Sequence, residues 1–231
     1  MNTILFTGYD DPYIQLARIT WPRMAKYAHK HGMDFDFYQK PPPNLNMYWT
    51  GVARGLELLK DHNFERVIYL DVDQLVTNFD VNILAHTCLA SGTSGFHVGS
   101  DWGNDVTEPW HFSMCGFIAH QDCIPLFEEV LSLEPEWRDK PFQEQGPFQD
   151  VVRRNLITAW TGPIPPRDPH SLIRINNVWI HPRKVFNCVP DQVSPGNVPT
   201  PWEKGNWCAH ITMVDIPKRV EIANELIAQL T

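Results

Sequence analysis

The chain has 231 residues, enough to bury one sizeable α/β core. Its formal net charge of -8 argues against nucleic acid or an anionic membrane as a general electrostatic partner, so a phosphate-bearing substrate would need local positive charge from a metal or a few Arg and Lys. Five scattered cysteines (Cys88, Cys115, Cys123, Cys188, Cys208) without a C-x-x-C pair read as reduced thiols of a cytoplasmic protein, and neither a signal peptide nor a transmembrane anchor is expected.

Asn2 to Thr7 predicts a first strand, with the turn Gly8-Tyr9-Asp10-Asp11-Pro12 at its carboxyl end. Tyr13 to Gly32 carries Ile14, Ala17, Met24, Ala25 and Ala28 on one helical face. Pro22 is expected to kink or split this helix, and Gly32 to cap it. Met33 to Tyr38 alternates strictly and predicts a second strand, making a parallel, right-handed strand–helix–strand unit. Pro41 to Asn46 reads as a loop, and Trp49 to Asp61 as a helix turning Val52, Leu56 and Leu59 inward.

The next stretch organises the rest. Val67 to Leu70 reads as a buried strand, and Asp71 and Asp73 follow at once with only Val72 between them. A carboxylate pair beside a core is costly unless something pairs with it. A hard divalent cation such as Mg²⁺ or Mn²⁺ suits it, taking oxygen ligands and keeping positions open for phosphate oxygens. Open α/β sheets bind their ligands at the carboxyl ends of strands. The alternative is that both acids are turn residues and helix caps.

Val81 to Ala90 predicts a short helix, Ser94 to Ser100 a strand ending at Asp101-Trp102, and Trp110 to Ala119 a strand with Gly116 inside it. Cys123 to Leu133 reads as a helix, and Gly146 to Asn155 as a shorter one carrying Gln149 and Asp150. From Thr161 onward repeated prolines break the chain into short strands and loops, with one strand at Val178 to Ile180. Asn206 to Thr212 sets His210 among apolar neighbours, and Pro217 to Leu230 closes the sequence as an amphipathic helix. The nine tryptophans suit either sugar stacking or plain core packing.

The run Val67-Ile-Tyr-Leu-Asp-Val-Asp-Gln-Leu-Val76 resembles the apolar strand, D-x-D and following apolar pair of nucleotide-sugar-dependent glycosyltransferases of the GT-A fold. The similarity is greatest to the retaining families that include glycogenin-like enzymes and galactosyl- and xylosyltransferases, and it runs from Ile4 to about Lys218. It implies an α/β, Rossmann-like nucleotide-sugar-binding fold with a mostly parallel central sheet and a Pro-rich C-terminal portion. One domain is expected over 1–231, with a nucleotide-binding half (1–110) and an acceptor half (111–231) that ends in a metal-ligand segment.

In such enzymes the acid pair holds a divalent metal on the donor diphosphate. The resemblance therefore implies Asp71, Asp73 and His210, the last within Trp207-Cys-Ala-His-Ile211, as ligands of Mn²⁺ or Mg²⁺. The family spacing H-F-x-G-x-x-K is not kept, since Lys218 lies eight residues beyond His210. Asp71, Arg54 and Lys218 are expected around the donor phosphates, and Thr7 and Tyr9 at the nucleotide, with Tyr9 stacking on the base. Phe112-Ser-Met-Cys-Gly-Phe-Ile118 resembles the F-N-[SA]-G-[VF] strand, with Met114 where the family has Asn. Phe148-Gln-Asp-Val-Val-Arg153 resembles the D-Q-D-x-L-N segment, which puts Gln149 and Asp150 beside the sugar; Glu144-Gln145 is a rival match. Asp101 and Asp150 would accept hydrogen bonds from sugar hydroxyls.

The implied activity is transfer of a hexosyl or pentosyl group from a nucleotide sugar, expected to be a UDP-sugar, to the hydroxyl of a glycan, protein or small-molecule acceptor, with retention. Two alternatives stand beside it. A haloacid-dehalogenase-like phosphatase also carries D-x-D after an apolar strand, and Gly99-Ser-Asp101 to Asp105 mimics its late acidic motif, though closer to the first than that family places it. A non-catalytic sugar-binding protein with a degenerate site would fit the Trp and Pro content and Met114. Taken singly, His210 could be a satisfied buried histidine, Arg54 a solvated helix residue, Asp101 a strand terminator and Asp150 a surface acid.

Overall fold

The computed structural model describes residues 2–39, 44–61, 63–87, 94–101, 110–159 (156–159 by backbone alone), 172–193 and 200–230. The chain opens with β1 (Thr3–Tyr9), buried at every position, so it carries a continuous apolar run in place of alternation. A short 3-10 turn leads into α1 (Ile14–Lys30), which runs unbroken through Pro22. The proline removes the N–H that would bond Arg18. Both residues lie on the exposed face, where water can satisfy the freed carbonyl. β2 (Asp34–Gln39) follows as the partly exposed edge strand, then α2 (Met47–Lys60) and the fully buried β3 (Arg66–Leu70).

Beyond the acid pair come β4 (Gln74–Val76), α3 (Ile83–His86), β5 (Phe96–Ser100) and β6 (Phe112–His120). The helices α4 (Ile124–Ser132), α5 (Glu134–Trp137) and α6 (Gln145–Ala159) precede β7 (Ile173–Ile175), β8 (Val178–His181) and α7 (Arg183–Phe186). The last elements are β9 (Cys208–His210) and α8 (Ile216–Leu230). The helix expected over 81–90 is the single turn α3, with 88–90 outside the described residues. So are Cys88, Trp102, Asp105 and the prolines at 163, 165, 166, 169, 195 and 199.

The main sheet has the order β2-β1-β3-β6-β5-β8-β7. Five of its seven strands run one way, and β6 and β7 run against them. On one face α2, α4 and α6 cover an aromatic core in which Phe96 stacks on Phe148 with ring centroids 5.0 Å apart. The opposite face buries Leu5, Ile68 and Ile118 with Met24, Phe186 and Trp207. The small sheet of β4 and β9 is antiparallel and lies against α1 and α7, while α8 packs on α1 through Leu16, Ile222 and Leu226. Cys115, Cys123, Cys188 and Cys208 are buried and free. Among the described residues no helix is long and apolar enough to cross a membrane.

Candidate active site

β3 delivers the acid pair. Its last residue, Leu70, pairs with Gly116 of β6, and Asp71 N–H still donates to Cys115 O at 2.8 Å. The chain then turns, with Gln74 N–H on Asp71 O at 2.9 Å, and leaves as β4. β4 pairs with β9 in the register Gln74↔His210, and Ile211 N–H donates to Asp73 O at 2.9 Å. That pairing brings a histidine from late in the chain onto the acids. One ligand atom from each of Asp71, Asp73 and His210 lies within 4.8 Å of the others.

The histidine is oriented from behind. Asn187, at the end of α7, offers Oδ1 to His210 Nδ1 at 2.7 Å, and its Nδ2 faces Ser100 O at 3.4 Å. Ser100 O can only accept, which fixes the amide with its oxygen towards the ring. His210 Nδ1 therefore carries the proton, and Nε2 faces Asp73 Oδ1 at 3.4 Å. Tyr69 steadies the other acid, its hydroxyl donating to Asp71 Oδ1 at 2.6 Å. Arg219 Nη1 donates to Asp73 Oδ2.

Burial, and then the charge of Asp73, push the Asp71 carboxyl up to about 7. Burial also opposes charge on Asp73, but His210 and Arg219 outweigh it and hold that carboxyl below its ordinary range. For His210, burial works against protonation, yet Cys115 and Asp73 raise its pKa well above the usual value. Asp71 and His210 are thus the groups that favour a proton, while Asp73 favours its charge. A divalent cation would displace those protons.

The donor set of two carboxylates and one imidazole matches a hard or borderline divalent cation. Asp73 Oδ1 supports the fit: among the described residues this buried oxygen has no close hydrogen bond and faces only the imidazole nitrogen, at 3.4 Å. The group lies on the wall of a cleft of about 370 Å³, which Gly8, Tyr9, Tyr13, Gly51, Met114, Glu144, Gln145 and Arg219 also line. Burial pushes the Glu144 carboxyl up to about 8.

The other residues singled out in the sequence have distinct places. Tyr9 lines the cleft and stacks on Phe37 with centroids 6.5 Å apart. Thr7 is fully buried inside β1, its hydroxyl without a hydrogen-bond partner. Arg54 pairs with Asp36 and Glu57 at 2.7 Å each, away from the cleft lining. Asp101 accepts from Gln145 Nε2 at 2.9 Å, and Gln145 Oε1 accepts from Met114 N–H at 3.2 Å. One turn further along α6, Gln149 donates to Phe112 O at 2.8 Å, and Asp150 pairs with Arg153 and Arg154. Lys218 pairs with Glu221 on the surface. Arg219 and Asn187 carry no sequence signal: one follows Lys218 on a charged helix turn, the other lies in a Pro-broken stretch.

No protein-family model matches the chain, and no curated protein matches it by sequence. Solved structures do. A glycosyltransferase involved in the glycosylation of the major capsid of PBCV-1 superposes with a TM-score of 0.69 at 19% identity, over 97% of this chain and 100% of that one. The galactosyltransferase LgtC, in complex with donor and acceptor sugar analogs, matches with a TM-score of 0.58 at 13% identity, over 99% of this chain and 96% of that one. The glycosyltransferase GlyE of Streptococcus pneumoniae TIGR4 matches with a TM-score of 0.54 at 12% identity, over 98% of this chain and 60% of that one. The order of strands, the acid pair at the end of β3 and these superpositions together give the chain the GT-A glycosyltransferase fold.

Proposed function

We propose that this chain is a metal-dependent glycosyltransferase that moves a sugar from a UDP-sugar to an acceptor hydroxyl with retention. The observation that carries the proposal is the meeting of Asp71, Asp73 and His210 beside a cleft at the carboxyl end of β3. Bound there, Mn²⁺ or Mg²⁺ supplies Lewis-acid neutralisation of the charge on a departing diphosphate. Tyr9, backed by Phe37, offers a ring face to the base. Glu144, whose carboxyl is pushed up to about 8 by burial, offers a proton donor to a sugar hydroxyl. Asp101 acts through Gln145, whose amide it holds against β6. Gln149 and Asp150 brace α6 behind that wall. Retention is supported by the sequence resemblance to retaining families, and a reducing, cytoplasmic setting by the free buried cysteines.

The test is mass spectrometry of a nucleotide-sugar panel incubated with Mn²⁺. One UDP-sugar should be consumed, with UDP released, and Asp73→Asn should abolish this while the protein stays folded. Turnover that survives EDTA, or hydrolysis of generic phosphate esters in its place, overturns the proposal.

A further inference from the structure

Building on the glycosyltransferase proposal, we propose that Arg219 is an internal counter-ion that changes partner during donor loading: it neutralises Asp73 in the free protein and passes to the donor diphosphate when a divalent cation takes Asp73. Arg219 reaches Asp73 from α8, 146 residues away in sequence. Its Nη1 donates to Asp73 Oδ2, its Nε donates to Val214 O at 2.8 Å, and its Cζ lies 5.5 Å from the centroid of the Tyr13 ring. The two side chains are 14% and 10% exposed, so the pair is formed at a real desolvation cost. Surface exposure was open to a side chain on this turn: Lys218, one residue earlier, is 41% exposed and pairs with Glu221. A charged arm folded inward onto a candidate metal ligand calls for a reason beyond surface pairing.

The carboxylate itself shows why the partners must change. Asp73 Oδ2 holds the guanidinium, while Oδ1 faces His210 and has no hydrogen bond. A dication among Asp71, Asp73 and His210 would lie against the guanidinium, and like charges repel strongly where water is scarce. Cation and Arg219 therefore compete for Asp73 until an anion joins them. A diphosphate entering the cleft removes the conflict, because Arg219 lines that cleft and a guanidinium has five donors, of which, among the described residues, Val214 and Asp73 engage two. The Val214 carbonyl and the Tyr13 face keep the arm at the rim in both situations. The functional consequence is that the cation binds weakly alone and tightly with the nucleotide, so loading is coupled through one side chain.

Calorimetric titration with Mn²⁺, UDP and uridine on wild type, Arg219→Gln and Arg219→Lys tests this without any turnover. In Arg219→Gln, Mn²⁺ alone should bind about 5- to 20-fold more tightly, and UDP in saturating Mn²⁺ about tenfold more weakly, with uridine unchanged, as expected for coupling of ordinary size. Arg219→Lys keeps the charge and should lie between the two. Mn²⁺ affinity that falls or stays level in Arg219→Gln overturns the exchange, as does UDP affinity that does not fall. Thermal melts confirm that the variants are folded. Wild type that binds neither Mn²⁺ nor UDP would instead overturn the glycosyltransferase proposal, and with it the exchange.

Discussion

His210 reaches the acids from β9, but Asn187 decides which nitrogen it presents. In Asn187→Leu the number and branching of side-chain heavy atoms are kept and the Nδ1 partner is lost, so the imidazole is free to adopt the wrong tautomer. Mn²⁺ affinity should drop about 10- to 100-fold, with about 1–3 kcal/mol of stability lost through the buried ring nitrogen left without its acceptor. A Mn²⁺ titration indistinguishable from wild type would show that Asn187 does not orient the ligand. At this scale the sequence was legible where chemistry is local. Asp71 and Asp73 stand out because two acids interrupt an apolar run. Asn187 and Arg219 do not, since each gains its role from one partner far away in the chain, Asn187 from His210 and Arg219 from Asp73.

At the scale of elements, the position of Asp71 depends on how closely α2 approaches β3. Gly51 makes this possible: a Cβ there would lie 2.8 Å from the Tyr69 ring, and Tyr69 is the residue that donates to Asp71. Gly51→Ala should cost about 1–3 kcal/mol in a urea melt through overpacking. A variant as stable as wild type would mean that the helix can move away without loss. The strands β1, β3, β5 and β6 were readable from their apolar runs. β4 was not, because a three-residue strand has no period of its own and exists only by pairing with β9. Pro22 signalled a break that the solvated carbonyl of Arg18 makes unnecessary. In α6 the sequence offers two placements of the motif, Gln149-Asp150 and Glu144-Gln145, and the helix turns its Glu144-Gln145 end to the cleft.

Among the described residues, another buried titratable pair lies on the opposite half of the sheet. His97 on β5 and His181 on β8 are buried with ring nitrogens 3.0 Å apart, and burial pushes them down to about 3 and about 4. A histidine with a depressed pKa favours folding at a pH above its unfolded value, and that contribution is lost as pH falls from about 6.5 towards the folded value. Asp71 and Glu144, both raised, work the other way over much of that window and flatten the overall curve. A difference measurement separates the two effects. The cost of His181→Gln in urea melts should shrink by about 1.4 kcal/mol per pH unit below pH 6.5. A cost that is constant between pH 7.5 and 5 would mean His181 is not held neutral.

The pairing of β4 with β9 also sets an order of events during folding. β1, α1, β2, α2 and β3 can assemble from contacts near in sequence, whereas the His210 side of the candidate metal group arrives only when β9 docks beside β4. Until then Asp71 and Asp73 belong to a chain that has most of its sheet and no third ligand. A cation bound by all three residues therefore acts after the folding barrier, slowing escape from the native state more than it speeds arrival. In a cell, metal supply would then set how long the finished molecule lasts more than how fast it forms.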